Sequence, residues 1–195
     1  MELEPAEGES FYRTLSTAVI PRPIAWVSSR SADGVDNLAP FSFFNVVCVD
    51  PPMVGFAPSD RSDGSLKDTP RNVRETGEFV VNVVTMDLAE AMNATSGTFD
   101  RGESEFETTD IDAVDSTAVS PPRVAEAKIA FECELHDFLD LGASTLVVGE
   151  VVRAHVDDAV TSDGKLDVEK VDAVGRLAGG WYASTRERFE MERPP

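Results

Sequence analysis

At 195 residues, 42% hydrophobic and 27% charged, the chain has the composition of a soluble globular protein and is long enough for one well-packed domain, read as 1–195. Its 17 Lys and Arg against 36 Asp and Glu give a net charge of −19, which excludes nucleic-acid binding by phosphate neutralisation. Apolar runs fall far short of the roughly 20 residues that cross a bilayer, and the acidic opening MELEPAEGES lacks the basic and apolar regions of a secretory signal, so a cytoplasmic protein is expected.

The acids are spread along the chain and the bases are mostly Arg, which predicts a halophilic surface whose self-repulsion is screened by concentrated salt. Cys48 and Cys133 form no CxxC and no Cys/His grouping at metal-ligand spacing, and each sits in an apolar-patterned segment. Buried inert thiols are expected, not a metal or redox centre.

In chain order, Tyr12–Ser16 suits a short helix. Pro21–Arg30 (PRPIAWVSSR) reads as a strand with Ile24, Trp26 and Ser28 on one face and Ala25, Val27 and Ser29 on the other, placed at an edge or entry by its two prolines. Ser31-Ala-Asp-Gly34 is a turn leading by a hairpin into Asn37–Phe44. Asp50-Pro-Pro-Met53 breaks the next strand, and Met53–Ala57 is a short buried one. After the polar loop Ser59–Ser65, Lys67–Gly77 carries helix punctuation: Asp68 or Thr69 to cap it, Pro70 in its first turn and Gly77 at its end. Glu78–Val84 is a β-branched strand and Met86–Ala94 a second short helix.

Residues 97–127 are polar and acidic and read as an irregular excursion, either a flap over a site or a tolerated surface insertion. Lys128–Phe138 alternates strictly, with Ile129, Phe131, Cys133 and Leu135 inward and Glu132, Glu134 and His136 outward. Thr145–Val156 returns as a long strand in which Gly149 marks a bulge, and Arg176–Tyr182 ends the ordered core, about 12–182. Strands with a few short helices and no repeating βα unit predict a mainly β, antiparallel barrel.

No glycine-rich nucleotide loop, zinc-protease motif or nucleophile elbow occurs. His136 and His155 read as solvated or structural, and no carboxylate pair stands out. What remains is Leu38–Asn45 (LAPFSFFN) followed by the helix start at Lys67-Asp68-Thr69. An aromatic strand beside a helix N-terminus with a lysine suits a flat ring carrying a phosphate. Taken singly, the aromatics read equally as core and the helix start as an ordinary cap.

The order of motifs adds a resemblance. PRPIAWVSS, the glycine turn, NLAPFSFFN, DPP, KDTPRN, GEFVVNVV, FECEL and LVVGEV follow the sequence of the flavin reductase-like proteins over roughly Tyr12 to Tyr182. The resemblance implies an FMN-binding split β-barrel of Greek-key antiparallel strands, forming a homodimer with the flavin near the subunit interface. It implies that Asn37, Ala39, Pro40, Phe41 and Ser42, with Asn45, border the isoalloxazine ring. Ser59, Lys67, Asp68 and Thr69 match the phosphate and ribityl segment, and Trp26 and Ser28 line the same cleft. Ser144 stands where many relatives carry a histidine, and Gly179-Gly180-Trp181-Tyr182 resembles the family's closing glycine-aromatic motif. The activity implied is hydride transfer from NADH or NADPH to flavin, with the cofactor supplying the chemistry and no protein acid or base required. The alternative is a flavoredoxin-like carrier that keeps FMN tightly bound, exchanges electrons with a redox protein and has no nicotinamide activity; a weaker third is a flavin-free binding barrel.

Overall fold

The computed structural model describes residues 2–5 and 11–194; most of the opening segment read above for a secretory signal lies outside them. Its centre is a seven-stranded antiparallel sheet built from β1 (Ala25–Arg30), β2 (Asp36–Phe41), β3 (Phe44–Val49), β4 (Pro52–Phe56), β5 (Glu78–Val83), β8 (Ile129–Asp140) and β9 (Thr145–Val156). The spatial order is β2-β1-β5-β8-β9-β4-β3. The edge strands β2 and β3 are joined in the chain by Ser42 and Phe43 alone, so the sheet must curl until its two edges meet at that corner. Away from the corner they share no ladder, and the result is a split barrel.

The barrel interior is filled by Ala25, Val27, Phe41, Val54, Phe56, Val73, Phe79, Val81, Cys133 and Val147. A second core lies outside the barrel wall, where Ile24, Trp26 and Leu38 meet Leu88 and Met92 of α3 (Ala89–Ala94) and its preceding turn, and Phe106 of α4 (Glu105–Thr108). β1 therefore buries both faces and pairs with β2 and β5, so of the edge or entry placement that its prolines suggest it takes the second. Pro21 and Pro23 precede the first ladder residue, so neither removes a hydrogen bond from the ladder.

The helices fall where expected. α1 spans Tyr12–Ala18, and α2 spans Asp68–Thr76 with Gly77 left-handed at φ 77°. Gly34 likewise closes the β1–β2 turn at φ 86°, its N–H bonded to the Ser31 carbonyl. The stretch 97–127 is more ordered than its composition predicts: it holds α4 and the small hairpin of β6 (Ala113–Val114) and β7 (Arg123–Val124), and Phe106, Val119 and Val124 are buried. Polar side chains on the outer wall hold it by its backbone. The Ser28 hydroxyl donates to the Pro122 carbonyl, the Val124 N–H donates to Asn82 Oδ1, and the Ser120 N–H donates to Glu78.

Glu132, expected to point to solvent, is fully buried under this strap. Its carboxylate accepts from the Thr117 N–H at 2.9 Å, the Thr117 hydroxyl, the Ala118 N–H and His155 Nε2. Burial pushes the carboxyl up, but the Thr117 amide, His155 and the Ala118 amide outweigh it and hold Glu132 below the ordinary value.

Gly149 does mark a bulge, with the extra residue on the partner strand: Leu135 pairs with Gly149 and Asp137 with Val148, leaving His136 over. Gly149 is also a point of close approach, since a Cβ there would sit 2.3 Å from the Phe79 ring. Cys133 is buried with its thiol pushed up by burial, whereas Cys48 is only half-buried on β3. Beyond β9 the chain forms the hairpin of β10 (Thr161–Ser162) and β11 (Lys165–Leu166), then that of β12 (Val174–Arg176) and β13 (Tyr182–Ser184). Among the described residues no helix is long and apolar enough to cross a membrane.

Candidate functional site

A cleft of about 720 Å³ opens along β2, within the size range of small-molecule sites. Its floor is Asn37, Ala39, Pro40 and Phe41, and one end is the start of α2 at Lys67, Asp68 and Thr69. The opposite wall is the loop 95–103 with Glu105, and the turn 31–35 and loop 61–63 complete the rim.

The two parts singled out in the sequence are thus brought together, by a direct bond. Asn37 Nδ2 donates to Thr69 Oγ1 at 2.9 Å, both side chains being buried. Asn72 Nδ2, one turn further along α2, donates to the Ser29 hydroxyl of β1 at 3.2 Å and fixes the helix against the barrel. No side chain caps α2: its N-cap is Lys67, and neither Asp68 nor Thr69 folds back on the first turn. The Asp68 carboxylate is instead held by Arg61 at 2.7 Å and Arg71 at 3.0 Å. The Asp68 and Thr69 amides are left to an outside acceptor, and Lys67 has no carboxylate partner among the described residues. The Thr69 hydroxyl accepts from Asn37 and so keeps its own hydrogen to donate.

The floor has another character. β2 is an edge strand, and Pro40 removes one N–H from the free edge, so beyond Leu38 the wall offers carbonyls and apolar side chains. Phe41 is backed by Phe56 with ring centroids 5.1 Å apart, and Phe56 by Phe79 at 5.5 Å. The first pair is tilted at 35° and the second meets edge to face at 64°, so the row braces the floor from the barrel interior.

Five of the residues named from the sequence lie off the cleft. Trp26 is fully buried in the outer core, and it reaches the site only through its Nε1–H, which donates to the hydroxyl of cleft residue Thr95 at 2.9 Å. Ser28 is spent on the strap. Ser42 lies half-buried at the β2–β3 corner, and exposed Asn45 accepts from the Val46 N–H. Ser59 bridges to Ser144 across the barrel end, their hydroxyls 3.5 Å apart. Tyr182 lines a separate open groove with Glu90, Asn93 and Arg176, and Trp181 is 75% exposed.

Sequence reasoning did not name Arg61, Asn72 or Glu105 as site residues, and of its two readings of 97–127, flap over a site or surface insertion, the lining by Glu105 and most of the loop 95–103 favours the first. Arg61 and Asn72 flank a helix start already singled out, so their proximity was available as a signal. The loop and Glu105 carry no periodicity, and only the fold brings them across from β2. Glu105 is buried at 6% exposure, with Oε2 accepting from the Leu38 N–H at 2.8 Å. Burial pushes its carboxyl above the usual range; the Leu38 and Glu105 backbone amides oppose this, and the charge of Asp68 adds to it.

Comparison with known proteins agrees with this architecture. The chain is 42% identical to BH2278 of Halalkalibacterium halodurans over 94% of its own length and 90% of that protein's. Among solved structures it resembles nitrilotriacetate monooxygenase component B from Bacillus cereus, at 36% identity and a TM-score of 0.92, with 98% of each chain covered. It also resembles the Pseudomonas fluorescens 2-nitrobenzoate 2-nitroreductase NbaA, at 32% identity and a TM-score of 0.89, covering 99% of this chain and 96% of that one. The flavin reductase like domain model matches residues 16–170, and the chain belongs to that family.

Proposed function

We propose that the chain is a flavoprotein oxidoreductase, one domain over 1–195, that binds FMN in the β2–α2 cleft and passes hydride from NADH or NADPH to flavin. The observation that carries this reading is one cleft with an apolar, aromatic-backed floor and, at one end, an uncapped helix start beside an unpaired lysine. These residues fit the ligand. Thr69 Oγ–H, the Asp68 and Thr69 amides and Lys67 would hold the phosphate, and Ala39, Pro40 and Phe41 would carry the ring.

A bound flavin supplies the two-electron chemistry. The protein's part is placement. Asn37 holds the Thr69 hydroxyl toward the phosphate end, Arg61 and Arg71 neutralise Asp68 so that its charge does not oppose an anion, and the loop 95–103 narrows access of water to the floor. Identity above 30% to a monooxygenase component and a nitroreductase supports an oxidoreductase over a passive barrel.

A second copy of the chain completes the reading. Val46, Val47 and Val49 of edge strand β3 are exposed, as are Leu15 of α1 and its C-cap Val19, and the Tyr12 ring of α1 meets Phe43 just before β3; these apolar side chains suit burial in a homodimer. Sedimentation in molar salt is expected to give twice the chain mass.

The test of function is anaerobic mixing of the FMN-loaded protein with NADH and with NADPH. Rapid bleaching of the flavin band with either is expected. Retained yellow colour with both would replace the reductase with an electron carrier, and failure to take up FMN in high salt would overturn both.

A further inference from the structure

Glu105 is unusual in this cleft: a carboxylate in a site whose other distinctive groups favour an anion. Its place on the strand is definite. Oε2 takes the N–H of Leu38 at 2.8 Å. Leu38 is flanked on one side by Asn37, which reaches Thr69 at the phosphate end, and on the other by Ala39, Pro40 and Phe41 of the ring floor. The carboxyl therefore sits at the step between the two ends.

Oε1 takes no bond from any other residue among those described, and it is not one of the enclosed unpartnered atoms, so it opens into the cleft that Glu105 lines. A carboxylate oxygen open to the cleft is available to a donor on a bound ligand. Neither Lys67 nor Arg61 bonds it, Arg61 being held by Asp68, and Asp68 brings only further negative charge to it. A phosphate cannot satisfy it, since it would bring like charge against the carboxylate. A neutral hydroxylated chain can, because each hydroxyl is a donor.

We propose that Glu105 is the specificity-determining residue for the linker of the bound flavin, its free oxygen accepting hydrogen bonds from the ribityl hydroxyls between ring and phosphate. This rests on the flavin reading above and extends it. Glu105 also sets the ligand's polarity, repelling the phosphate toward α2 and leaving the β2 floor to the ring.

The experiment compares dissociation constants for two ligands, FMN and the analogue in which the same ring and phosphate are joined by an unsubstituted five-carbon chain. The wild-type protein, Glu105→Gln and Glu105→Leu are each titrated, with thermal melts to establish folding. Wild type is expected to prefer FMN about tenfold or more, the lower end of what a hydrogen bond to a charged group contributes. Glu105→Leu is expected to reduce that preference to threefold or less, with affinity for the alkyl analogue unchanged or improved. Should Glu105→Leu fail to fold, Glu105→Gln carries the test, since it replaces a charged acceptor by a neutral amide and is expected to cut the preference at least threefold. An equal preference in wild type and the folded variants, or no preference in wild type, overturns the assignment of Glu105. Binding of neither ligand by wild type overturns the flavin reading itself.

Discussion

Asn37 on β2 and Thr69 on α2, 32 residues apart in the chain, share a buried hydrogen bond of 2.9 Å. Among the described residues it is the one direct hydrogen bond between the strand that floors the cleft and the helix start that closes its end, so these two side chains fix how far the two ends stand apart.

Replacing Thr69 by Val separates the consequences of that bond. The methyl keeps the shape, but Asn37 Nδ2 loses its acceptor in a buried position, which costs about 1–3 kcal/mol of stability. The ligand loses a phosphate donor at the same time. FMN affinity is expected to fall about tenfold while riboflavin, with no phosphate, is held as before. Equal losses for both flavins would move the phosphate away from α2.

Lys67 is exposed and unpaired, so its contribution is that of a screened surface charge. Lys67→Ala is expected to weaken FMN binding about threefold to fivefold in dilute buffer. The difference from wild type should shrink in molar KCl, where the Debye length falls to about 3 Å. A loss independent of salt would mean that Lys67 acts through packing and not charge.

The sequence made the ends of the cleft visible and left its far wall hidden, for a physical reason. Helix punctuation and turn glycines are local chemistry: Gly34 and Gly77 take the positive φ their positions require, and β2 and α2 stand where the pattern puts them. The wall formed by the loop 95–103 and Glu105 is contributed by segments remote from β2 and has no period of its own. Glu132 was misplaced for a related reason. Alternation distinguishes two faces of a strand but cannot say that the outer one is covered, and what covers it, the backbone N–H groups of Thr117 and Ala118, leaves no trace in residue identity. β1, read from its prolines as an edge or entry strand, is the second: Pro21 and Pro23 stand before its first ladder residue, and the strand pairs on both sides.

Gly149→Ala tests the close approach at the barrel centre. The added Cβ would meet Phe79 Cζ at 2.3 Å and Cβ of Cys133 at 3.2 Å, and Phe79 is itself wedged against Phe56. The overpacking is expected to cost about 1–3 kcal/mol by chemical denaturation. Combining it with Phe79→Leu should recover part of the loss, and strictly additive effects would show that the glycine serves the backbone instead.

The charge of −19 predicts a salt-dependent fold. Among the described residues Glu105 and Glu132 are the only buried carboxylates, so nearly all the acidic excess is on the surface, where screening relieves repulsion. The melting temperature is expected to rise steadily with KCl toward molar concentrations. A flat profile would remove the halophilic reading and leave an ordinary acidic protein.

Glu132 gives the acid limb of stability its sign. Its folded carboxyl lies below the ordinary value of 4.5, because the Thr117 and Ala118 amides and His155 outweigh burial. A depressed carboxyl contributes stability that is complete above its unfolded value and is lost as pH falls through the folded one. Stability measured by denaturant is therefore expected to hold down to about pH 5 and to decline below 4.5. Glu132→Gln replaces the charged acceptor of two backbone amides, at a fully buried side chain, by a neutral one, and should cost about 1–3 kcal/mol at pH 7. The decline below pH 4.5 should be shallower in the variant than in wild type, since a carboxyl whose folded value is depressed is gone. Because Glu132 holds the strap that leads back through α4 to Glu105, proteolysis within residues 113–124 should quicken in Glu132→Gln before the barrel unfolds. Parallel acid limbs in the two proteins would show that the carboxylate is protonated or unpaired in the fold.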